Sequence, residues 1–66
     1  MKIYYKDSCG TYSIEEHYGG TATLRCRNNS NGNLDVEKTY NSAKGARTAL
    51  ARYCGGMPAE NGREEQ

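Results

Sequence analysis

Apolar and polar residues alternate with a period of two through four stretches of the chain: Lys2 to Lys6, Thr11 to Tyr18, Thr21 to Asn28 and Leu34 to Tyr40. Each predicts a β-strand, because alternation puts one set of side chains on a single face of a pleated ribbon. Asp7-Ser8-Cys9-Gly10, Gly19-Gly20 and Asn29-Ser30-Asn31-Gly32-Asn33 separate them. Connections this short join antiparallel neighbours, so a meander is expected. The period then changes. Ala43, Ala46, Ala49, Leu50, Tyr53 and Cys54 recur at three- and four-residue spacing, which predicts an amphipathic helix from Ala43 to Cys54. Asn41 or Ser42 can cap its start, and Gly55-Gly56 followed by Pro58 stop it. The expected fold is α+β: a four-stranded antiparallel β-meander followed by one C-terminal α-helix packed on one face, ββββα. It forms a single domain over residues 1–56, and residues 57–66, Gly-, Asn- and Glu-rich and without periodicity, are expected to be a disordered tail.

Parity fixes the faces. If Ile14, Leu24 and Val36 face inward, a loop centred on Gly19 sets Ile14 opposite Leu24 and Tyr12 opposite Cys26. A five-residue loop centred on Ser30 then sets Leu24 opposite Val36, Cys26 opposite Leu34 and, on the other face, Arg25 beside Asp35. A tight turn at Asn31-Gly32 would oppose apolar to polar side chains and is rejected on that ground. Ile3 and Tyr5 go inward, and Lys2, Tyr4 and Lys6 outward. Lys44, Arg47 and Arg52 fall on the outer side of the helix. Gly45 in its first turn costs about 1 kcal/mol against Ala, which points to close packing there or, second, to the close approach of a ligand.

Composition narrows the picture. In 66 residues with 35% hydrophobic content and neither Trp nor Phe, the core must be small and built from Ala, Tyr and a few aliphatics. One helix buries little, so a homo-oligomer through the uncovered sheet face or an edge strand is expected. No apolar run approaches the ~18 residues of a membrane span, and no membrane partner is expected. The opening Met1-Lys2-Ile3-Tyr4-Tyr5 enters strand alternation at once, without secretory-signal character, so the expected location is cytoplasmic. Three widely spread cysteines, Cys9, Cys26 and Cys54, fit free thiols in a reducing compartment.

Reactive chemistry is hard to assemble from these residues. The cysteines and His17 lack a Cys-x-x-Cys spacing, and Cys26 points inward while His17 points outward, so no metal site is expected. Glu15 and Glu16 are adjacent on a strand and project to opposite faces. Gly19-Gly20 lacks the following helix and Lys of a phosphate loop. Neither catalysis nor a cofactor is expected. Among six tyrosines, Tyr5, Tyr12, Tyr18 and Tyr53 sit where a core would fill, whereas Tyr4 lies outward and can stack on a base or anchor an interface. The net charge is +1, with the basic residues concentrated before the acidic tail. Candidate partner-binding residues are Tyr4, Lys6, Arg25 and Arg27 on the open sheet face, and Lys44, Arg47 and Arg52 on the helix.

The stretch Glu37-Lys38-Thr39-Tyr40-Asn41-Ser42-Ala43-Lys44-Gly45-Ala46-Arg47, continued by Ala49-Leu50-Ala51-Arg52-Tyr53, resembles the very small single-domain proteins of bacteriophages and other mobile elements. In size, cytosolic context and lack of catalytic residues the chain is similar to many anti-CRISPR proteins. That resemblance implies a stoichiometric inhibitor, often dimeric, occupying a nucleic-acid channel or working surface of a Cas effector, a host nucleoprotein. Many such inhibitors are strongly acidic, which this chain is not, so mimicry of DNA is not expected. The order of four strands and then a helix also resembles the whirly-like, transcriptional-coactivator type of single-stranded DNA-binding domain. That likeness implies single-stranded nucleic acid held on the sheet by Lys2, Tyr4, Lys6, Arg25 and Arg27.

Overall fold

Alternation, turns and caps build the elements in the order β1 (Lys2–Lys6), β2 (Gly10–Glu16), β3 (Ala22–Asn28), β4 (Leu34–Tyr40), α1 (Ala43–Cys54) and β5 (Ala59–Glu64). The structure, a computed structural model, describes residues 1–30 and 32–64. All strand pairings are antiparallel, and the sheet runs β4-β3-β2-β1-β5. The small α+β fold with a ββββα core matches the expectation. The fifth strand does not: 59–64, expected to be tail, pairs along β1, with a bulge where Tyr4 opposes Gly62 and Tyr5 opposes Glu60. Its sequence lacks apolar alternation because what recruits it is the unpaired backbone edge of β1, a requirement that side-chain pattern does not record. Residues 65–66 of the expected tail, and Asn31 of the rejected Asn-Gly turn, lie outside the described residues.

Ile3 opposite Ile14, Tyr5 opposite Tyr12, Ile14 opposite Leu24 and Tyr12 opposite Cys26 form the inner rows. Together with Ala22, and with Ala46 and Leu50 from the helix, they make the buried core. Small alanines let α1 lie close against the sheet. The helix starts at Ser42, whose side chain accepts from the Gly45 backbone N–H at 3.1 Å, and ends at Gly55 in the left-handed conformation at φ 72°. Gly45 is not tightly packed: an added Cβ would meet only Ser42 Oγ at 3.4 Å and Tyr40 Cβ at 3.7 Å, ordinary contacts. Two of the four tyrosines expected in the core are not there. Tyr18 sits at the tip of the β2–β3 loop in full solvent, and Tyr53, 47% exposed, lies on the helix rim, edge-on to Tyr12 at 6.1 Å.

The β3–β4 register also differs. Cys26 opposes Val36 and Leu24 opposes Lys38, two residues away from the expected pairing. The turn is one residue shorter than a loop centred on Ser30 would be, closing where the Asn28 N–H donates to the Asn33 carbonyl at 3.1 Å. One residue of β4, Asp35, is then bulged between Cys26–Val36 and Arg27–Leu34. A slip of two preserves faces, so Val36 still points to the core side. The bulge sends Leu34 to the open face beside Arg27 and Asp35 toward the helix, where its carboxylate accepts from the Tyr53 hydroxyl at 3.1 Å.

Candidate interaction surface

Asp35 therefore does not pair with Arg25. Glu37 stands opposite Arg25 instead, and Glu15 approaches from β2. Arg25 Nε donates to Glu37 Oε2 and its terminal nitrogen to Glu15 Oε1, both at 2.7 Å. Both bonds raise the Arg25 guanidinium's pKa further, and the bond to Arg25 holds the Glu15 carboxyl below its ordinary range. Several other groups of the open face also hold internal partners. The Tyr4 hydroxyl donates to Glu64 Oε2 at 2.6 Å, with the Lys2 ammonium 5.6 Å from its ring centre. Thr23 Oγ1 lies 2.6 Å from His17 Nε2 and 2.9 Å from Thr39 Oγ1. Arg27 donates to the Gly32 carbonyl at 2.6 Å. Lys6 is exposed at the edge of this face. The depression over it is small, about 220 Å³, and contains Arg25, Arg27, Lys2 and Tyr4.

The helix side is different. Lys44, Thr48 and Arg52 recur every four residues and form one row along α1. Gly45 and Ala49, also four apart, carry no bulk beside that row. Lys38 and Tyr40 of β4 close the other wall, with the Lys38 ammonium 5.4 Å from the Tyr40 ring centre. The result is a groove of about 660 Å³ with Ser42 at one end and, among the described residues, no carboxylate in its lining. Lys38, Lys44 and Arg52 make no ion pair with any described residue. Arg47 is exposed and makes no ion pair with any described residue, but it sits near Tyr5 and does not line the groove.

The candidate residues thus separate into two sets. Tyr4, Arg25 and Arg27 share the open sheet face with Lys6 and are largely committed to internal partners, whereas Lys44 and Arg52 meet in the groove. Lys38, Tyr40, Ser42 and Thr48 were missed as candidates. Lys38 was readable, since it has the same parity as the inward Val36, and Thr48 falls midway between Lys44 and Arg52 at helical spacing.

Elsewhere the polar clusters are structural. One carboxylate oxygen of Asp7 accepts from the Cys9 and Gly10 backbone N–H groups at 2.8 and 3.0 Å and from the Tyr12 hydroxyl at 2.8 Å. Among the described residues no three His, Cys, Asp or Glu side chains gather as a metal site, and no helix is long and apolar enough to cross a membrane. Cys26 is buried, and that burial pushes its thiol up to about 11. No family model, curated protein or solved structure matches the chain.

These shifts set the stability profile. The Tyr12 bond, reinforced by the two backbone donors, lowers the Asp7 pKa, as Arg25 lowers that of Glu15. A lowered native pKa favours the carboxylate form of the fold, so its stabilisation is present above the ordinary values of 3.8 and 4.5 and is lost as pH falls through the native ones. The raised Cys26 thiol acts in reverse: its contribution is complete below 9.0 and erodes as pH rises toward about 11. Thermal melts followed by circular dichroism should show Tm level between these limits and falling on both sides. Asp7→Asn should flatten part of the acid fall, and a Tm that rises below the ordinary carboxylate range would contradict this assignment.

Proposed function

We propose that the chain is a non-catalytic inhibitor of the phage type that binds and blocks a host nucleoprotein, such as a CRISPR–Cas effector, through the cationic side of α1 and β4. One observation carries the reading: among the described residues the cations of the groove have no carboxylate partners, whereas Arg25 on the sheet face has two. Unpaired cations around a concavity are positioned to meet negative charge on another molecule without first breaking internal bonds. Holding single-stranded nucleic acid on the open sheet is the competing reading. It is weakened because Arg25 would have to leave Glu15 and Glu37, and Tyr4 would have to leave Glu64, before either met a phosphate or a base.

The test is an inhibition assay with a purified effector ribonucleoprotein and stoichiometric protein. Lys44→Glu with Arg52→Glu should abolish inhibition, while Lys6→Glu with Arg27→Glu should leave it intact, both variants retaining the native melt. The opposite pattern, or no inhibition by the unaltered protein, would refute the proposal.

A further inference from the structure

Resting on that reading, we propose that the partner contributes an extended acidic protein segment that lies along the free edge of β4 as a sixth strand, its alternate carboxylates projecting over the Lys38–Lys44–Arg52 groove. Four observations converge on this. Among the described residues β4 ends the sheet and is paired on one side only, so its outer backbone groups have no strand partner there. Its irregularity is confined to one end, at Leu34 and Asp35, which leaves Val36–Tyr40 regularly paired with β3 and straight enough to template another strand. The other sheet edge, β5, is bulged mid-strand, follows Pro58 and carries its own Glu60–Arg63 ion pair. The groove lies on the helix side of the open β4 edge and contains no carboxylate among the described residues.

Periodicity sets the recognition rule. Side chains of an added strand reach the helix side at every second position, about 6.8 Å apart, and positions four residues apart span about 13.5 Å. Lys44 and Arg52, eight residues apart on α1, are separated by about 12 Å along the helix. Two carboxylates four residues apart thus match the two ends of the cationic row, with a third between them beside Thr48 and Lys38. The intervening positions project onto the other face, next to Glu37 and Thr39, and acidic residues there would be repelled. The expected segment is acidic at alternate positions and neutral or basic between them. A nucleic-acid strand satisfies the cations but offers no ladder of N–H and C=O groups to the β4 edge.

The experiment uses the full chain and two labelled seven-residue synthetic peptides of identical composition. One alternates glutamate with threonine; the other carries the same glutamates in one block. Fluorescence anisotropy should show the alternating peptide binding at least about fivefold tighter, since only it matches the two-residue period. Lys44→Glu with Arg52→Glu should weaken it by about tenfold or more. Hydrogen exchange should show the outward-facing amides of Val36–Tyr40, every second one, gaining protection on binding, since the others already face β3. Equal affinity for the block peptide would overturn the inference by leaving charge alone as the cause. So would unprotected β4 amides, tighter binding of an oligothymidylate to the same residues, or concentration-dependent protection of β4 without peptide, the sign of a second copy on that edge. If the unaltered protein binds neither peptide while its effector inhibition is still abolished by Lys44→Glu with Arg52→Glu, this inference falls and the proposed function stands; peptide binding without effector inhibition would remove the function and leave the strand site.

Discussion

Gly10→Ala should destabilise the protein by about 2–3 kcal/mol, a large share of the roughly 3–10 kcal/mol available to a domain of this size. Gly10 opens β2 opposite Asn28, and a Cβ built there would sit 2.3 Å from the Arg27 carbonyl oxygen, with the Tyr12 hydroxyl at 3.3 Å. The obstacle is backbone, so no side-chain rotation relieves it; β2 and β3 must separate locally. That separation would disturb the Asp7 turn as well, because the Gly10 N–H is one of its donors. Urea unfolding gives the value directly. A midpoint unchanged by the substitution would mean that the two strands are farther apart at this point than described.

The second large effect is expected at Leu50. Of the helix residues only Ala46 and Leu50 are fully buried, and Ala46 has little side chain to contribute. Leu50→Ala should therefore cost about 2–5 kcal/mol, the range for emptying a tightly enclosed leucine site. Helices of twelve residues rarely persist without tertiary support, so α1 should unravel rather than shift, removing most of the helical circular dichroism and the wall of the groove. Arg52→Ala, on the outer side, serves as the control and should stay within about 0.5 kcal/mol of the parent. Helical signal that survives Leu50→Ala at the parental midpoint would show that α1 is held by something other than this contact.

Much of this architecture could be read from the chain because several local signals agreed. Ser42, the alanine stripe and Gly55 delimit the same helix from three independent directions. The Ile14–Leu24 pairing followed from parity and a glycine-centred loop. Parity has a blind spot, however: it distinguishes faces and not registers that differ by two. The turn closed at Asn28–Asn33 and the bulge at Asp35 decided between them, and neither carries an apolar signature. β5 was hidden for a related reason, being recruited through the backbone of β1.

The site inherited that blind spot. Lys44 and Arg52 were recognisable as outward cations, but which basic residues are free depends on where the acids land. With Glu37 rather than Asp35 opposite Arg25, the register commits Arg25 and turns Asp35 away to Tyr53. At the coarseness of a Debye length, about 8–10 Å, Arg25 and Arg52 look alike as charges; hydrogen-bond geometry separates them.

That separation is the central claim, and arginine side-chain NMR tests it most directly. Near neutral pH the Arg25 Nε–H should give a resolved, slowly exchanging resonance that loses protection in Glu37→Gln, while the Nε–H groups of Arg47 and Arg52 exchange rapidly with water. Fast exchange at Arg25 together with protection at Arg52 would contradict it, because the committed and the available cations would then be the reverse of those described.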